Sequence, residues 1–159
     1  MALRPVTPIA QYDRLSRDVA DPSIINPLAA NALEQGEWLV ETTTGWARIS
    51  GTNPTTGGAG RAEIVWSKRG EGPTQALNKV ACLSAHEGIL ETDIFDDALT
   101  PAIGQLLTVH AVTVGGVANR SALTLAATGE PVRGQVQGPL PADNGGFLRI
   151  KKVSPYPAP

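Results

Sequence analysis

Gln105-Leu106-Leu107-Thr108-Val109-His110-Ala111-Val112-Thr113-Val114 decides the fold class. Leu107 and Val109 alternate with Thr108 and His110 after a turn opened by Pro101. This is the two-residue period of a strand that buries one face. Similar runs recur at Ile89 to Ile94, Leu123 to Ala126, Val132 to Gln137 and Phe147 to Val153, separated by Gly, Pro, Asn and Asp clusters. Their spacing of roughly eight to fifteen residues leaves no room for the helical crossovers that parallel strands need. The predicted class is mainly β, a small antiparallel β-sandwich or β-barrel.

Ahead of this block, Glu37 to Thr42 and Trp46 to Ser50 have hairpin spacing around a Thr-Gly turn, and Arg61 to Ser67 adds a further strand. Thr52 to Gly60 (TNPTTGGAG) reads as a flexible loop and Lys68 to Pro73 (KRGEGP) as a turn. Thr74 to Ala85 fits a short amphipathic helix and a loop entering a strand equally well. Val112 to Asn119 (VTVGGVAN) reads as a glycine loop.

Residues 1–30 carry Pro5, Pro8, Pro22 and Pro27, which allow no helix longer than Gln11 to Ala20. This predicts an extended N-terminal arm. Val6, Ile9, Leu15, Val19, Ile24, Ile25 and Leu28 are apolar, so the arm is expected to order against a neighbouring subunit; a disordered tail is the alternative. Ser154 to Pro159 (SPYPAP) reads as a Pro-rich tail that cannot extend the sheet. The expected organisation is an arm over residues 1–35, a β domain over 36–153 and a tail over 154–159.

Composition narrows the function classes. The 159 residues suit one domain, and 42% hydrophobic with only 18% charged residues opposes charged disorder. Seventeen glycines and thirteen prolines oppose a helical bundle. A net charge of -2 provides no basic footprint, so no direct nucleic-acid partner is expected. There is no apolar run of about 18 residues, and Met1 to Ala20 lacks a basic-then-apolar leader pattern, so neither a membrane span nor a signal peptide is expected. The single Cys82 cannot form an intrachain disulfide.

No motif carries recognisable chemistry. His86 and His110 lack any nucleophile frame, and His110 reads as a structural or surface histidine. Cys82, between Ala81 and Leu83, reads as a small buried hydrophobe. Glu91, Asp93, Asp96 and Asp97 have the alternating oxygens of a calcium ligand set but lack its loop and distal Glu; they read as a strand edge and turn. The Gly-rich stretch before Arg61 precedes a strand, whereas a phosphate cradle needs a helix. Asn119-Arg120-Ser121 is a glycosylation sequon with no sign of secretion. Arg149 and Lys151 share a strand face opposite Leu148 and Ile150, which with Lys152 makes a solvated face or a polar protein contact. No catalytic residue, cofactor or metal is expected. Trp38, Trp46 and Trp66 lie on three successive strands, where core packing competes with a role at an interface.

Five stretches carry a family likeness: Leu90-Glu91-Thr92-Asp93-Ile94-Phe95-Asp96, Ala102-Ile103-Gly104-Gln105-Leu106-Leu107-Thr108-Val109, Leu123-Thr124-Leu125-Ala126, Gly129-Glu130-Pro131-Val132-Arg133-Gly134-Gln135-Val136 and Gly146-Phe147-Leu148-Arg149-Ile150-Lys151. Their order resembles that of tailed-bacteriophage head decoration (capsid cement) proteins. Gly36-Glu37-Trp38-Leu39 after Asn26-Pro27-Leu28 is similar to the first strand of such β-tulip-type domains. The resemblance implies a structural, non-enzymatic protein on the capsid exterior of a virion, made in the host bacterial cytoplasm. It also implies that the major capsid protein is the partner, and that the chain forms a homo-oligomer, a trimer in preference to a dimer. The interface residues expected are Ile9, Leu15, Ile24, Ile25 and Leu28 of the arm, Trp38 and Trp46 of the hairpin, and Asn53 and Thr55 of the following loop. The alternatives are another β-rich virion component, from tail or baseplate, and a small hydrolase or binding module.

Overall fold

The computed structural model describes residues 3–6, 13–26, 28–50, 61–67, 79–84 and 88–159. Over these it is a mainly β fold of two antiparallel sheets packed as a sandwich. The strands in chain order are β1 (Leu3–Pro5), β2 (Asp13–Asp18), β3 (Trp38–Thr42), β4 (Gly45–Ala47), β5 (Ala62–Ser67), β6 (Lys79–Ser84), β7 (Gly88–Thr92), β8 (Leu106–Val114), β9 (Val117–Leu125), β10 (Pro131–Val136) and β11 (Leu148–Pro157). One sheet has the order β1-β7-β11-β10-β8-β9, the other β2-β6-β5-β3-β4.

The alternation read from the sequence sorts residues onto faces. Leu107 and Val109 of β8 and Leu148 and Ile150 of β11 turn inward to meet Trp38, Val40, Ile64 and Leu83 of the five-stranded sheet. Leu39, Val65 and Cys82 lie on that sheet's opposite face, in a second core with Trp46, Val80, Val19, Ile24, Ile25 and Leu33. Both faces of β3 are therefore buried, which explains the unbroken apolar run Trp38-Leu39-Val40.

The five-stranded sheet curls until its two edges touch. Val19, directly after β2, forms a parallel bridge with Trp46 of β4, and the Ala20 N–H donates to the Trp46 carbonyl at 2.9 Å. Gly45 sits at this seam with φ +131°, where a Cβ would lie 3.0 Å from the Asp18 carbonyl oxygen and 3.1 Å from the Ala20 nitrogen. Only glycine combines that backbone with that approach.

Several expectations resolve here. The N-terminal segment is extended, as its prolines require, yet its described strands lie on the chain's own sheets. β1 pairs with β7 (Arg4 opposite Glu91), and β2 pairs with β6 along its full length. Residues 79–84 of the undecided stretch are strand β6, while 74–78 and 85 lie outside the described residues, as do the expected loop at 52–60 and turn at 68–73.

Two expectations are corrected. Val112 to Asn119 is a tight hairpin: Gly115 and Gly116 take φ of +56° and +77°, β8 and β9 close directly at Val114 opposite Val117, and Asn119 adopts φ +61° where the register shifts. The proline tail does extend the sheet, since β11 continues to Pro157 with Tyr156 opposite Val132. Prolines at 155, 157 and 159 occupy every second position, so their missing N–H groups fall along one strand edge. The other edge bonds normally: Ala158 donates to the Glu130 carbonyl at 2.8 Å and accepts from Gly129 at 2.9 Å.

Candidate functional site

The expected interface residues divide by burial. Trp38 and Trp46 are buried within the chain, Trp38 in the inter-sheet core and Trp46 in the second core, so core packing accounts for both. Ile24 and Ile25 are also buried, in the 3-10 turn Pro22–Ile25 that covers the second core. Leu15 (37% exposed) and Leu28 (92% exposed) do present apolar surface. The turn around Leu28 is ordered by Asn26, whose Oδ1 accepts from the Leu28 N–H at 3.1 Å. Ile9, Asn53 and Thr55 lie outside the described residues.

Three ionic clusters brace the fold, the first between the two sheets and the other two each within one sheet. In the first, Glu37 is fully buried at the start of β3. Its carboxylate accepts from Arg48 Nε at 2.7 Å and Nη2 at 2.8 Å, and from Arg120 Nη1 at 2.6 Å. Both guanidinium groups also donate to the Ala32 carbonyl. Arg120 comes from β9, so this cluster joins the two sheets. Its Nε is the one buried side-chain polar atom without a partner among the described residues.

In the second, Arg17 of β2 donates through Nε to Glu63 Oε2 of β5 at 2.7 Å. Its guanidinium lies 4.8 Å from the Trp46 ring centroid, and that of Arg61 lies 5.7 Å from it. The hydrogen bond to Glu63 raises the Arg17 pKa further above its ordinary value. Cys82 sits beneath, and burial pushes its thiol pKa well up, which keeps it an inert hydrophobe.

In the third, Glu91 Oε1 accepts from Arg149 Nη2 at 2.7 Å, Arg149 Nε at 3.0 Å and Asn144 Nδ2 at 3.0 Å. Burial pushes the Glu91 pKa up, but these hydrogen bonds and the charges of Arg149 and Arg4 outweigh it and hold the group below its usual range.

Of the other chemical candidates, His86 lies outside the described residues, and His110, Asp96 and Asp97 are engaged. His110 Nε2 is 2.8 Å from Glu130 Oε1, and the second oxygen of Glu130 accepts from the Ala127 N–H. Asp96 accepts from Thr124 Oγ1. Asp97 accepts from the N–H groups of Gly115 and Gly116, whose hydrogen bonds lower its pKa and pin the β8–β9 turn. Among the described residues, no three His, Cys, Asp or Glu side chains converge as metal ligands. A shallow cleft of about 290 Å³ lies between the sheets, lined by Ile24, Asn31, Arg48, Ile49, Ser50, Ala111 and Asn119.

Comparison of the chain with protein-family models, curated proteins and solved structures found no match. The buried clusters are what sequence reading missed. Glu37, Glu63 and Arg120 each stand inside or beside an apolar strand run, an available signal for a buried charge that needs a partner. Their partners are 11, 46 and 83 positions away.

Proposed function

We propose that this chain is a structural assembly protein, a bacteriophage head decoration protein that binds the assembled shell from outside and bridges neighbouring major capsid protein subunits. One observation carries the reading. The buried carboxylates Glu37, Glu63 and Glu91 are each satisfied by arginines of the same chain, while Leu15 and Leu28 of the N-terminal segment present apolar side chains to solvent and are available for contact. The five stretches that resemble decoration proteins also come together in space. Most of their residues belong to the contiguous strands β7-β11-β10-β8-β9 of one sheet.

The function follows from mass action. A protein that binds only the closed lattice stabilises it by RT ln(1 + [L]/Kd) at each site. A closed homo-oligomer, a trimer on the local threefold positions, holds several sites at once and leaves slowly. Leu15 and Leu28 are the proposed apolar contacts.

The deciding experiment is to recover the protein with purified particles and locate its density by cryo-EM, with sedimentation of the free chain for its oligomeric state. Density over head threefold positions and a trimer in solution are expected. Density confined to the tail moves the protein to the alternative virion role, and absence from particles removes the assembly role altogether.

A further inference from the structure

Asn144-Gly145 is the only Asn-Gly pair in the sequence. It follows the 3-10 turn Pro141–Asp143, and Gly145 and Gly146 both take positive φ. A Cβ on Gly145 would meet nothing within 4 Å. An uncrowded glycine amide after asparagine is the local chemistry that favours attack of the backbone nitrogen on the side-chain amide, and asparagine is thermolabile for this reason. In the folded chain the Asn144 amide is held elsewhere: Nδ2 donates to Glu91 Oε1 and to the Phe147 carbonyl, each at 3.0 Å.

The same two residues also face the N-terminal strand. Glu91 stands opposite Arg4 in the β1–β7 register, and the Arg4 guanidinium lies 3.5 Å from the Phe147 ring centroid. Leu3, beside Arg4, is buried in the inter-sheet core.

We propose that Asn144 is a site of spontaneous deamidation, and that its conversion loosens the anchorage of β1. This goes beyond the assembly role and does not depend on it. The Gly145 backbone nitrogen gives up its proton and forms a bond to Asn144 Cγ. The Cγ–Nδ2 bond breaks, and ammonia leaves carrying the proton. Water then opens the resulting succinimide at either carbonyl, giving aspartate or isoaspartate. Either product loses the Nδ2 donor and gains a carboxylate; in the aspartate that carboxylate stands where the amide faced Glu91. Both hydrogen bonds of Asn144 Nδ2 are lost, and added negative charge is placed near Glu91. The clip must open before the ring can close, so the conversion rate in the folded chain reports local opening of this loop.

The test uses the full chain aged at mildly alkaline pH, mapped by peptide mass spectrometry beside a urea-unfolded sample. The expected result is that Asn144 converts ahead of every other asparagine in the folded protein, more slowly than in urea. Hydrogen exchange on the variants N144D and N144S then reads the consequence. N144D is expected to speed exchange several-fold in β1 and β7, and N144S, which removes the clip without adding charge, to do so less. Two results overturn the proposal: an unconverted Asn144 in folded protein over the time that fully converts the unfolded chain, or wild-type exchange of β1 in N144D.

Discussion

Arg120 Nη1 lies 2.6 Å from Glu37 Oε1, joining two sheets through residues 83 positions apart. Glu37 is also the acceptor for Arg48, so the two partners are not equivalent. Removing Glu37 leaves the buried Arg120 guanidinium facing that of the half-buried Arg48, whereas removing Arg120 leaves Glu37 with Arg48. The Glu37→Ala variant is expected to lose about 3–5 kcal/mol, the cost of stranding buried charge. Arg120→Ala should lose about 1–3 kcal/mol. Urea unfolding of both variants checks the order, and a larger loss for Arg120→Ala would refute the shared-acceptor account.

At the Gly45 seam, an alanine must take φ +131° and push its Cβ against backbone atoms of Asp18 and Ala20. Gly45→Ala is expected to cost about 1–3 kcal/mol from strain, with added cost from the contact. Gly104→Ala is the control, since Gly104 also has positive φ but nothing within 4 Å. Trp46 fluorescence during denaturation should report the difference; equal midpoints for the two variants would show that the seam tolerates a side chain.

Deletion of residues 1–20 removes β1, β2 and the Val19 bridge. Both β6 and β7 then expose an unpaired edge, and Leu3 leaves the core. A lower urea midpoint and concentration-dependent aggregation are expected in the free protein. A truncated chain as stable and soluble as the full one would return the segment to the role of a free arm.

Lys152 lies buried on β11, and burial, with the nearby charge of Arg133, lowers its pKa from 10.5 to about 8 against the opposing pull of Glu63. Between these values the unfolded chain binds more protons than the folded one, so stability rises with pH across that window. The gain is at most about 3 kcal/mol. Comparing urea midpoints below and above the window should show the rise in wild type and its loss in Lys152→Met. A rise of the same size in the variant would assign it to other groups.

Alternation in Leu107 to Val109 and in Leu148 to Ile150 was enough to place strands and their inner faces, because the period of a strand is a local property of the backbone. The Gly-Pro punctuation marked most turns for the same reason. It misled at SPYPAP, where a composition that excludes an interior strand is compatible with one whose prolines all face one edge. It misled again at Gly115-Gly116, where two glycines mark a two-residue turn.

By itself the sequence determined the β class, the strand faces and the extended course of the first residues. Tertiary structure alone decided that β1 and β2 complete the chain's own sheets, that Trp38 and Trp46 are core, and that Glu37 meets both Arg48 and Arg120. The reason is physical. Backbone periodicity and turn chemistry are set by neighbours along the chain. Sheet order and buried ion pairs depend on closing loops and desolvating distant partners together, and no single segment carries that free energy.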